Sequence, residues 1–246
     1  MTNRFAIFAK TFRMALLYLV PNILAEGDWQ NVLPAQVHGI LTSTKYFIVE
    51  NIRTARRFMK QVNREIDIDA CTFYEINKRT DARELPRFLK PMENGEDVAV
   101  ISEAGCPGVA DPGADVVRLA HQKGFKVVPI VGPSSILLAL MASGLNGQNF
   151  AFRGYLPVKP NERSRELVNL EKTIKSTRQT QIFIETPYRN NHLIEDILNS
   201  CSPGILLCIA ANITGENELI VTKTVQQWKT NIPDLHKQPA IFLLGN

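Results

Sequence analysis

Residues 101–117, ISEAGCPGVADPGADVV, combine polar groups with stiff turns in a way that suits the binding of a small polar molecule. The middle of the segment is too rich in glycine and proline to form a strand or a helix. Gly105 and Gly108 permit backbone conformations and close approaches that a side chain would prevent, while the prolines restrict the chain around them. Such a loop holds its amides and carbonyls in fixed directions, ready to hydrogen-bond a ligand.

Two of the carboxylates in the segment, Glu103 and Asp111, have different predicted roles. Asp111 is placed to cap a helix that begins at Pro112, because aspartate is a favoured N-cap and proline is favoured at the first helical position. Glu103 is poorly placed for capping but can accept hydrogen bonds from hydroxyl or amino groups. We therefore predict a structural role for Asp111 and a binding role for Glu103.

A second short connection, VGPSS at residues 131–135, opens another predicted helix. Ser134 can cap that helix, and the free amides of its first turn can bind a polar ligand. Both connections follow predicted strands, and open α/β sheets bind ligands beyond the carboxyl ends of their strands. We expect the two loops to contribute to one site.

Alternating strand-like and helix-like stretches position these loops in the first half of the chain. The strands are predicted at 15–20, 45–50, 71–76, 97–102 and 125–130, with helices at about 34–43, 53–65, 81–93 and 113–123. This alternation predicts a mainly parallel, Rossmann-like sheet with crossover helices.

The pattern changes near residue 132, where we place a domain boundary. A helix over 134–143, an aromatic strand at 149–157 and a charged helix over 160–176 precede strands at 180–186, 204–213, 218–224 and 240–245. Long helices do not separate the last three strands, which favours antiparallel pairing and a mixed sheet. The predicted fold class is thus α/β, with two α/β domains at 14–132 and 133–246. We interpret residues 1–13 as a disordered arm or a start codon assigned too early.

Composition is that of a soluble globular protein. The 246 residues are 45% hydrophobic and 21% charged, and the net charge of +4 is compatible with a polyanionic partner. No apolar run approaches the ~20 residues that cross a bilayer, so we expect a cytoplasmic protein. The four cysteines lack disulfide or metal-site spacing and the four histidines are scattered, so we predict no metal site.

Four segments, in their order and spacing, resemble the tetrapyrrole-methylase superfamily: SEAGCPGVADPG, VPIVGPSS, SGLNGQNFAFRGYLP and IFIETPYRNNHLIEDI. Within it the chain is similar to the 16S ribosomal RNA (cytidine-2′-O) methyltransferases. The resemblance covers roughly residues 15–245, and block 102–157 is specific because several glycine and proline positions match at once. It implies an S-adenosylmethionine (SAM)-dependent methyltransferase with two α/β domains, the cofactor in the cleft between them, and a homodimer.

The resemblance also implies which residues hold SAM. They lie in the loops at strand ends and helix starts of both predicted domains, at Pro21, Glu103, Ala104, Gly105, Cys106, Ser134, Ser135, Thr186, Asn212 and Ala240.

Three segments depart from the pattern of the ribosomal enzymes. VPNILAEGDW replaces a loop of the form P-x-P-I-G-N-L, and Glu50-Asn51-Ile52-Arg53 stands where those enzymes have Glu-Asp-Thr-Arg. Residues 211–215, Ala-Asn-Ile-Thr-Gly, replace Arg-Glu-Leu-Thr-Lys. These departures mainly remove charged residues that face the methyl acceptor in the ribosomal enzymes. The resemblance therefore implies SAM as the methyl donor more directly than it implies the acceptor.

Methyl transfer from SAM is an in-line displacement at a carbon activated by the sulfonium, so positioning carries much of the rate. A ribose hydroxyl is a poor nucleophile at neutral pH, and a general base adds about 10² to 10⁴-fold. Glu50 follows the second strand and matches the first acid of the family motif. It is our candidate base, with a plain surface carboxylate as the alternative.

Basic and aromatic side chains provide candidate RNA contacts. The guanidinium groups that could bind phosphates belong to Arg53, Arg153, Arg163, Arg165 and Arg189. A solvated helix face explains Arg163 and Arg165 equally well. Tyr155 and Tyr188 could stack on an unpaired base, although packing within the fold is the alternative for each.

Three functions are compatible with these residues. The leading one is a SAM-dependent methyltransferase that acts on ribosomal or another structured RNA. A second keeps SAM but changes the acceptor to a tetrapyrrole or another small molecule. A third is a SAM-binding module without turnover, which the altered VPNILAEG and ENIR segments would support.

Overall fold

The computed structural model describes residues 14–77 and 79–246, so the predicted arm at 1–13 lies outside the described residues. The described chain forms two compact units. Among the described residues, the first contains 14–22 together with Trp29–Gly132, and the second contains Ile23–Asp28 together with Pro133–Asn246.

The sheet of the first unit is parallel throughout, as the sequence predicts. Its strands each lie within one residue of the predicted bounds: β1 (Leu16–Val20), β2 (Tyr46–Val49), β3 (Thr72–Glu75), β4 (Val98–Ile101) and β5 (Lys126–Pro129). The strand order is β3-β2-β4-β1-β5. β1 is therefore flanked by β4 and β5, and the connections that follow these three strands leave the same edge of the sheet.

Helices of the first unit are α1 (Gln36–Ser43), α2 (Ile52–Val62), α3 (Leu85–Phe88), α4 (Lys90–Glu93) and α5 (Ala114–Gln122). The prediction of one helix over 81–93 was wrong, because this stretch forms a 3₁₀ turn at Ala82–Glu84 followed by the short helices α3 and α4. Pro86 and Pro91 explain the interruption, since each lacks an amide donor and is tolerated only near a helix start. Apolar side chains of α3, α4 and α5 pack against β1, β2 and β4.

The sheet of the second unit is mixed, which confirms the predicted class. Its strands are β6 (Phe150–Tyr155), β7 (Thr180–Ile184), β8 (Leu206–Ala211), β9 (Leu219–Thr224) and β10 (Ala240–Gly245), in the order β6-β7-β10-β8-β9. β6 and β7 are parallel, and the other neighbouring pairs are antiparallel. The antiparallel pairing expected for the last three strands is confirmed.

Helices cover both faces of this second sheet. They are α6 (Ser135–Ser143), α7 (Pro160–Thr177), α8 (Asn190–Ser200) and α9 (Val225–Trp228). Leu167 of α7 and Leu193 of α8 belong to the core that contains Phe183 and Phe242. Leu140 of α6 packs on the opposite side with Ile182 and Leu243. The segment 23–28 contributes Leu24 to the α6 side.

The helices of the described ranges include none with the length and apolar character needed to cross a membrane.

Candidate functional site

Asn22 holds the loop after β4 in place. Its side-chain amide Nδ2 donates to the main-chain oxygens of Ser102 at 3.1 Å and Glu103 at 3.2 Å. The main chains of Asn22 and Gly105 also exchange two hydrogen bonds, of 3.0 and 3.1 Å. Because Asn22 is only 6% exposed, these bonds are shielded from water. The sequence predicted Pro21 but not Asn22, whose position two residues past the end of β1 was the available signal.

The predicted cofactor segment Glu103–Cys106 presents different groups along its length. Glu103 and Ala104 are exposed, Gly105 is buried and Cys106 is half-buried. Gly105 has a φ of +72°, a left-handed conformation that glycine adopts without the penalty of a side chain. Burial raises the pKa of the Cys106 thiol and so favours its neutral form. The segment therefore offers one carboxylate and a rigid main chain.

Gly132, after β5, lies against the connection that follows β1. A Cβ built on Gly132 would be 2.2 Å from the Cβ of Pro21 and 2.3 Å from its Cγ. The Cys106 thiol donates to the main-chain oxygen of Gly132 at 3.7 Å. The connections after β4, β1 and β5 therefore converge at one edge of the first sheet, and Gly132 is a second residue that the sequence reasoning left unnamed.

Helix capping near these loops differs from the prediction at one position. Ser134 caps α6, as predicted, by accepting from the amide of Leu137 at 3.5 Å, and both Ser134 and Ser135 belong to the second unit. The prediction that Asp111 caps a helix beginning at Pro112 was wrong. α5 begins at Ala114 with Gly113 at its N-cap, and Gly113 has a φ of +131°, which no helical residue adopts.

Asp111 instead lines a cavity of about 440 Å³ in the first unit. The cavity lies between the connection after β3 and the start of α5, and its volume falls in the range of small-molecule sites. Its polar side chains are Asn77, Thr80, Asp111 and Asp115, and its apolar side chains include Ile76, Leu85 and Pro112. The lining thus combines apolar walls with groups that can donate and accept hydrogen bonds.

Glu50 and Asn51 follow β2, the strand between β3 and β4. Glu50 is half-buried at this end of the strand. Asn51 caps α2, since its side-chain oxygen accepts from the amides of Arg53 at 2.9 Å and Thr54 at 3.2 Å. The ribosomal enzymes that the sequence resembles have aspartate at this position. Asparagine caps a helix as well as aspartate does, so Asn51 caps α2 without the negative charge.

Thr186, Asn212 and Ala240 lie at one end of the second sheet. Ala240 pairs with the last residue of β8, and the amide of Asn212 donates to Pro239 at 3.0 Å. The Asn212 side chain donates to Oε1 of Gln238 at 2.8 Å. β10 also pairs with β7 up to Ile184, two residues before Thr186. The structure thus brings together three of the residues that the resemblance assigns to SAM.

An ion pair between the buried Glu185 and the half-buried Arg189 lies beside Thr186. Glu185 is 5% exposed, and its Oε1 accepts from the Thr186 amide and from Nη2 of Arg189, both at 2.6 Å. The hydrogen bond to Glu185 raises the pKa of the Arg189 guanidinium. Three buried atoms here have no hydrogen-bond partner in the described chain: Glu185 Oε2, Arg189 Nε and Asn190 Oδ1. Unsatisfied buried atoms are uncommon in folded proteins, and a ligand is one source of partners.

A family model described as Tetrapyrrole (Corrin/Porphyrin) Methylases matches residues 39–228, most of the chain. The chain belongs to the tetrapyrrole methylase family. Members of this family are SAM-dependent methyltransferases.

Two curated relatives of this tetrapyrrole methylase are named Ribosomal RNA small subunit methyltransferase I. That of Vibrio cholerae is 30% identical over 83% of this chain and 67% of its own length. That of Pseudomonas aeruginosa is 33% identical over 66% of this chain and 54% of its own length. The chain thus spans between about half and two thirds of the length of these relatives. Among solved structures, the methyltransferase CobJ has a similar fold, with a TM-score of 0.60 and 19% identity over 94% of this chain and 93% of CobJ.

Some of the predicted acceptor-side residues of this tetrapyrrole methylase are accessible. Tyr155 is 57% exposed beside the last residue of β7, and Tyr188 is 67% exposed and meets His236 edge-on at 5.9 Å. Arg53 and Arg165 are exposed on α2 and α7.

Arg153 and Arg163 are engaged within the fold. Arg153 donates to Gln181 at 2.7 Å, near the beginning of β7 and away from Thr186. Arg163 is 5% exposed and donates to Asp196 at 2.6 Å and to the main chain of Val158 at 2.9 Å. The guanidinium of Arg163 is buried in an internal ion pair. It is therefore available neither to an RNA phosphate nor to solvent.

Proposed function

We propose that this chain transfers the methyl group of SAM to a ribose 2′-hydroxyl of small-subunit ribosomal RNA. The observation that carries the proposal is the similarity over 83% of the chain to a relative named for that RNA. The convergence of the loops after β4, β1 and β5 adds a structural reason, because it holds a rigid polar main chain where parallel sheets bind their ligands.

The residues present fit SAM. In the first unit, the rigid main chain at Gly105 and the Glu103 carboxylate suit the polar groups of a nucleoside. In the second unit, the unpartnered buried oxygens of Glu185 and Asn190 can accept from amino or hydroxyl groups of a ligand near Thr186 and Asn212. When bound, SAM supplies a methyl group that its sulfonium activates for displacement.

Glu50 is proposed as the general base for the acceptor hydroxyl. It lies at the carboxyl end of β2, beside the strands whose connections line the cavity. The apolar walls of the cavity at Ile76 and Leu85 can pack against a base, while Asn77 and Asp111 can hydrogen-bond to its edge. We therefore place the acceptor nucleoside at this cavity. A base positioned in this way contributes about 10² to 10⁴-fold to the rate.

We also propose a cytoplasmic location, which the relatives named for ribosomal RNA support, and a homodimer, which rests on the family resemblance. Light scattering of the purified chain tests the dimer, and a monomer at all protein concentrations would refute it.

The test of function is methyl transfer from tritiated SAM in parallel reactions with small ribosomal subunits and with extracted tetrapyrroles. Transfer of label to the RNA supports an RNA acceptor. If one phosphodiester bond of the labelled RNA then resists alkaline hydrolysis, the result supports ribose methylation, since a 2′-O-methyl group blocks cleavage of the adjacent bond. Label in the tetrapyrrole fraction alone would replace RNA by a small-molecule acceptor. SAM binding measured by calorimetry with no label in either pool would support a binding module without turnover.

A further inference from the structure

The helix α2 concentrates the positive charge of the chain. Residues 51–64 carry five cations, Arg53, Arg56, Arg57, Lys60 and Arg64, and no Asp or Glu. These five exceed the net charge of +4, so the remainder of the chain carries a net charge of −1. The longer helix α7 is different, because its four basic side chains alternate with three glutamates. Residues 51–64, which include α2, therefore carry a basic excess that α7 lacks.

The basic side chains of α2 lie mainly on the side of the helix that faces solvent. Arg53, Arg57 and Lys60 are spaced four and three residues apart, which places them on one side of the helix, and all three are exposed. The opposite side is buried in the first unit through Ala55, Phe58, Met59 and Val62. Arg56 lies beside the basic face and packs over the ring of Phe73 at 5.2 Å.

The cationic groups of this face, on Arg53, Arg57 and Lys60, have no carboxylate partner within the described residues. Lys60 Nζ donates one hydrogen bond, to the main-chain oxygen of Arg64 at 2.8 Å. The three side chains extend over about 10 Å of helix, at ~1.5 Å per residue. A nucleic-acid strand advances about 3.4 Å per phosphate along a duplex, so this face matches about three phosphate steps.

From this arrangement we infer that the exposed face of α2, formed by Arg53, Arg57 and Lys60, binds the phosphate backbone of the RNA next to the methylated nucleotide. The inference rests on the proposed function, and it adds a surface to that function. α2 begins two residues after Glu50, so its basic face extends from the proposed acceptor position. An anionic membrane is the less suitable partner, because the apolar side chains of α2 are buried and cannot enter lipid.

Fluorescence anisotropy with a short labelled single-stranded RNA, recorded from about 50 to 200 mM salt, tests this surface. The double variant Arg57→Gln/Lys60→Gln in the full chain should weaken RNA binding on the order of tenfold at low salt. It should also reduce the slope of log affinity against log salt by about 1.4, since each lost phosphate contact removes ~0.7. The control Lys172→Gln/Lys229→Gln removes the same charge from exposed positions of the second unit and should leave the slope nearly unchanged.

Two outcomes would overturn the inference. One is a slope that stays at the wild-type value in the α2 variant, and the other is an equal loss of slope in the control variant. Calorimetry should give the same SAM affinity for all three proteins, and thermal unfolding should show that each is folded. The proposed function fails separately, if the wild-type chain binds RNA through α2 but transfers no methyl group to it.

Discussion

Gly132 and Pro21 pack so closely that no side chain fits between them: a Cβ on Gly132 would be 2.2 Å from the Pro21 Cβ. Since Pro21 follows β1 and Gly132 follows β5, this contact sets how closely two of the proposed cofactor loops approach.

Gly132→Ala should therefore displace the loop after β1 or β5, because the Pro21 ring is rigid. We expect a loss of about 1–3 kcal/mol in the free energy of unfolding and weaker binding of SAM, measured by urea denaturation and calorimetry. Gly39→Ala is the matched control, since a Cβ at Gly39 in α1 meets nothing within 4 Å. That change should stabilise the protein by about 0.5–1 kcal/mol. Normal stability and SAM affinity in Gly132→Ala would contradict the close packing.

Asn22→Asp should disturb the loop after β4 with little change in volume. The carboxylate cannot donate to the main-chain oxygens of Ser102 and Glu103, and it places negative charge beside them. We expect a loss of about 1–3 kcal/mol in unfolding free energy and lower SAM affinity. Asn199→Asp, at an exposed position of α8, provides the control. Equal SAM affinity in both variants would refute a role for Asn22 in cofactor binding.

Arg189→Ala should destabilise the second unit, because it leaves the Glu185 carboxylate buried without its cation. The expected loss is about 1–3 kcal/mol, because Glu185 is buried while the Arg189 side chain is 37% exposed. Arg165→Ala removes an exposed arginine and should change the unfolding free energy by no more than ~0.5 kcal/mol. Chemical denaturation of both variants checks the difference. Similar denaturation midpoints for the two variants would show that the ion pair of Glu185 and Arg189 contributes little to stability.

Acid should weaken the attachment of α7 to the chain before β8. Burial favours neutral Glu171, but its hydrogen bonds with Lys175 and Ser202 outweigh burial and lower the pKa of its carboxyl. The Ser202 amide donates to Glu171 at 2.8 Å. A pKa lower in the folded than in the unfolded state gives stability that is complete above the unfolded pKa of about 4.3 and is lost as the pH falls through the folded value.

Glu171→Gln should therefore reduce the urea midpoint near neutral pH and lose less stability than wild type on acidification to about pH 3. Parallel pH dependence in the two proteins would exclude Glu171 as a source of the acid sensitivity.

Asn77→Ala in the cavity should raise the KM for RNA while leaving SAM affinity unchanged, if the cavity holds the acceptor nucleoside. The expected change is about tenfold, as for loss of one hydrogen bond to a ligand. Initial rates at varied RNA concentration measure it, and Asn94→Ala is an exposed control in the same unit. An unchanged KM would show that the acceptor nucleoside does not bind in this cavity.

The strands were predictable because each is a short apolar run, and their bounds in the first sheet differ from the prediction by at most one residue at each end. The features that the sequence did not predict depend on the backbone conformation and on contacts between distant residues in the folded chain. The positive φ of Gly113 moved the start of α5 beyond Asp111, and the internal bond to Asp196 buried Arg163 in a sequence that reads as a charged helix. Pairings such as that of Asn22 with residues about 80 positions away leave no local pattern to detect.

The helices α8 and α9 were also not predicted. α8 begins directly after the loop at Thr186–Arg189, and its apolar residues Leu193 and Ile197 are mixed with polar ones. Their place in the core becomes evident only beside Phe183 and Phe242 of the folded sheet.

The assignment of residues 23–28 to the second unit has a practical consequence for dissecting the protein. The polypeptide passes from one unit to the other three times, so a single cut after Gly132 keeps the first unit whole but separates Ile23–Asp28 from the rest of the second unit. A fragment starting at Pro133 would lack Leu24, which packs on the α6 side of the sheet, and Ala25, whose Cβ lies 3.1 Å from the Cβ position of Gly215. Of two recombinant halves divided after Gly132, only the second would need a graft to be complete.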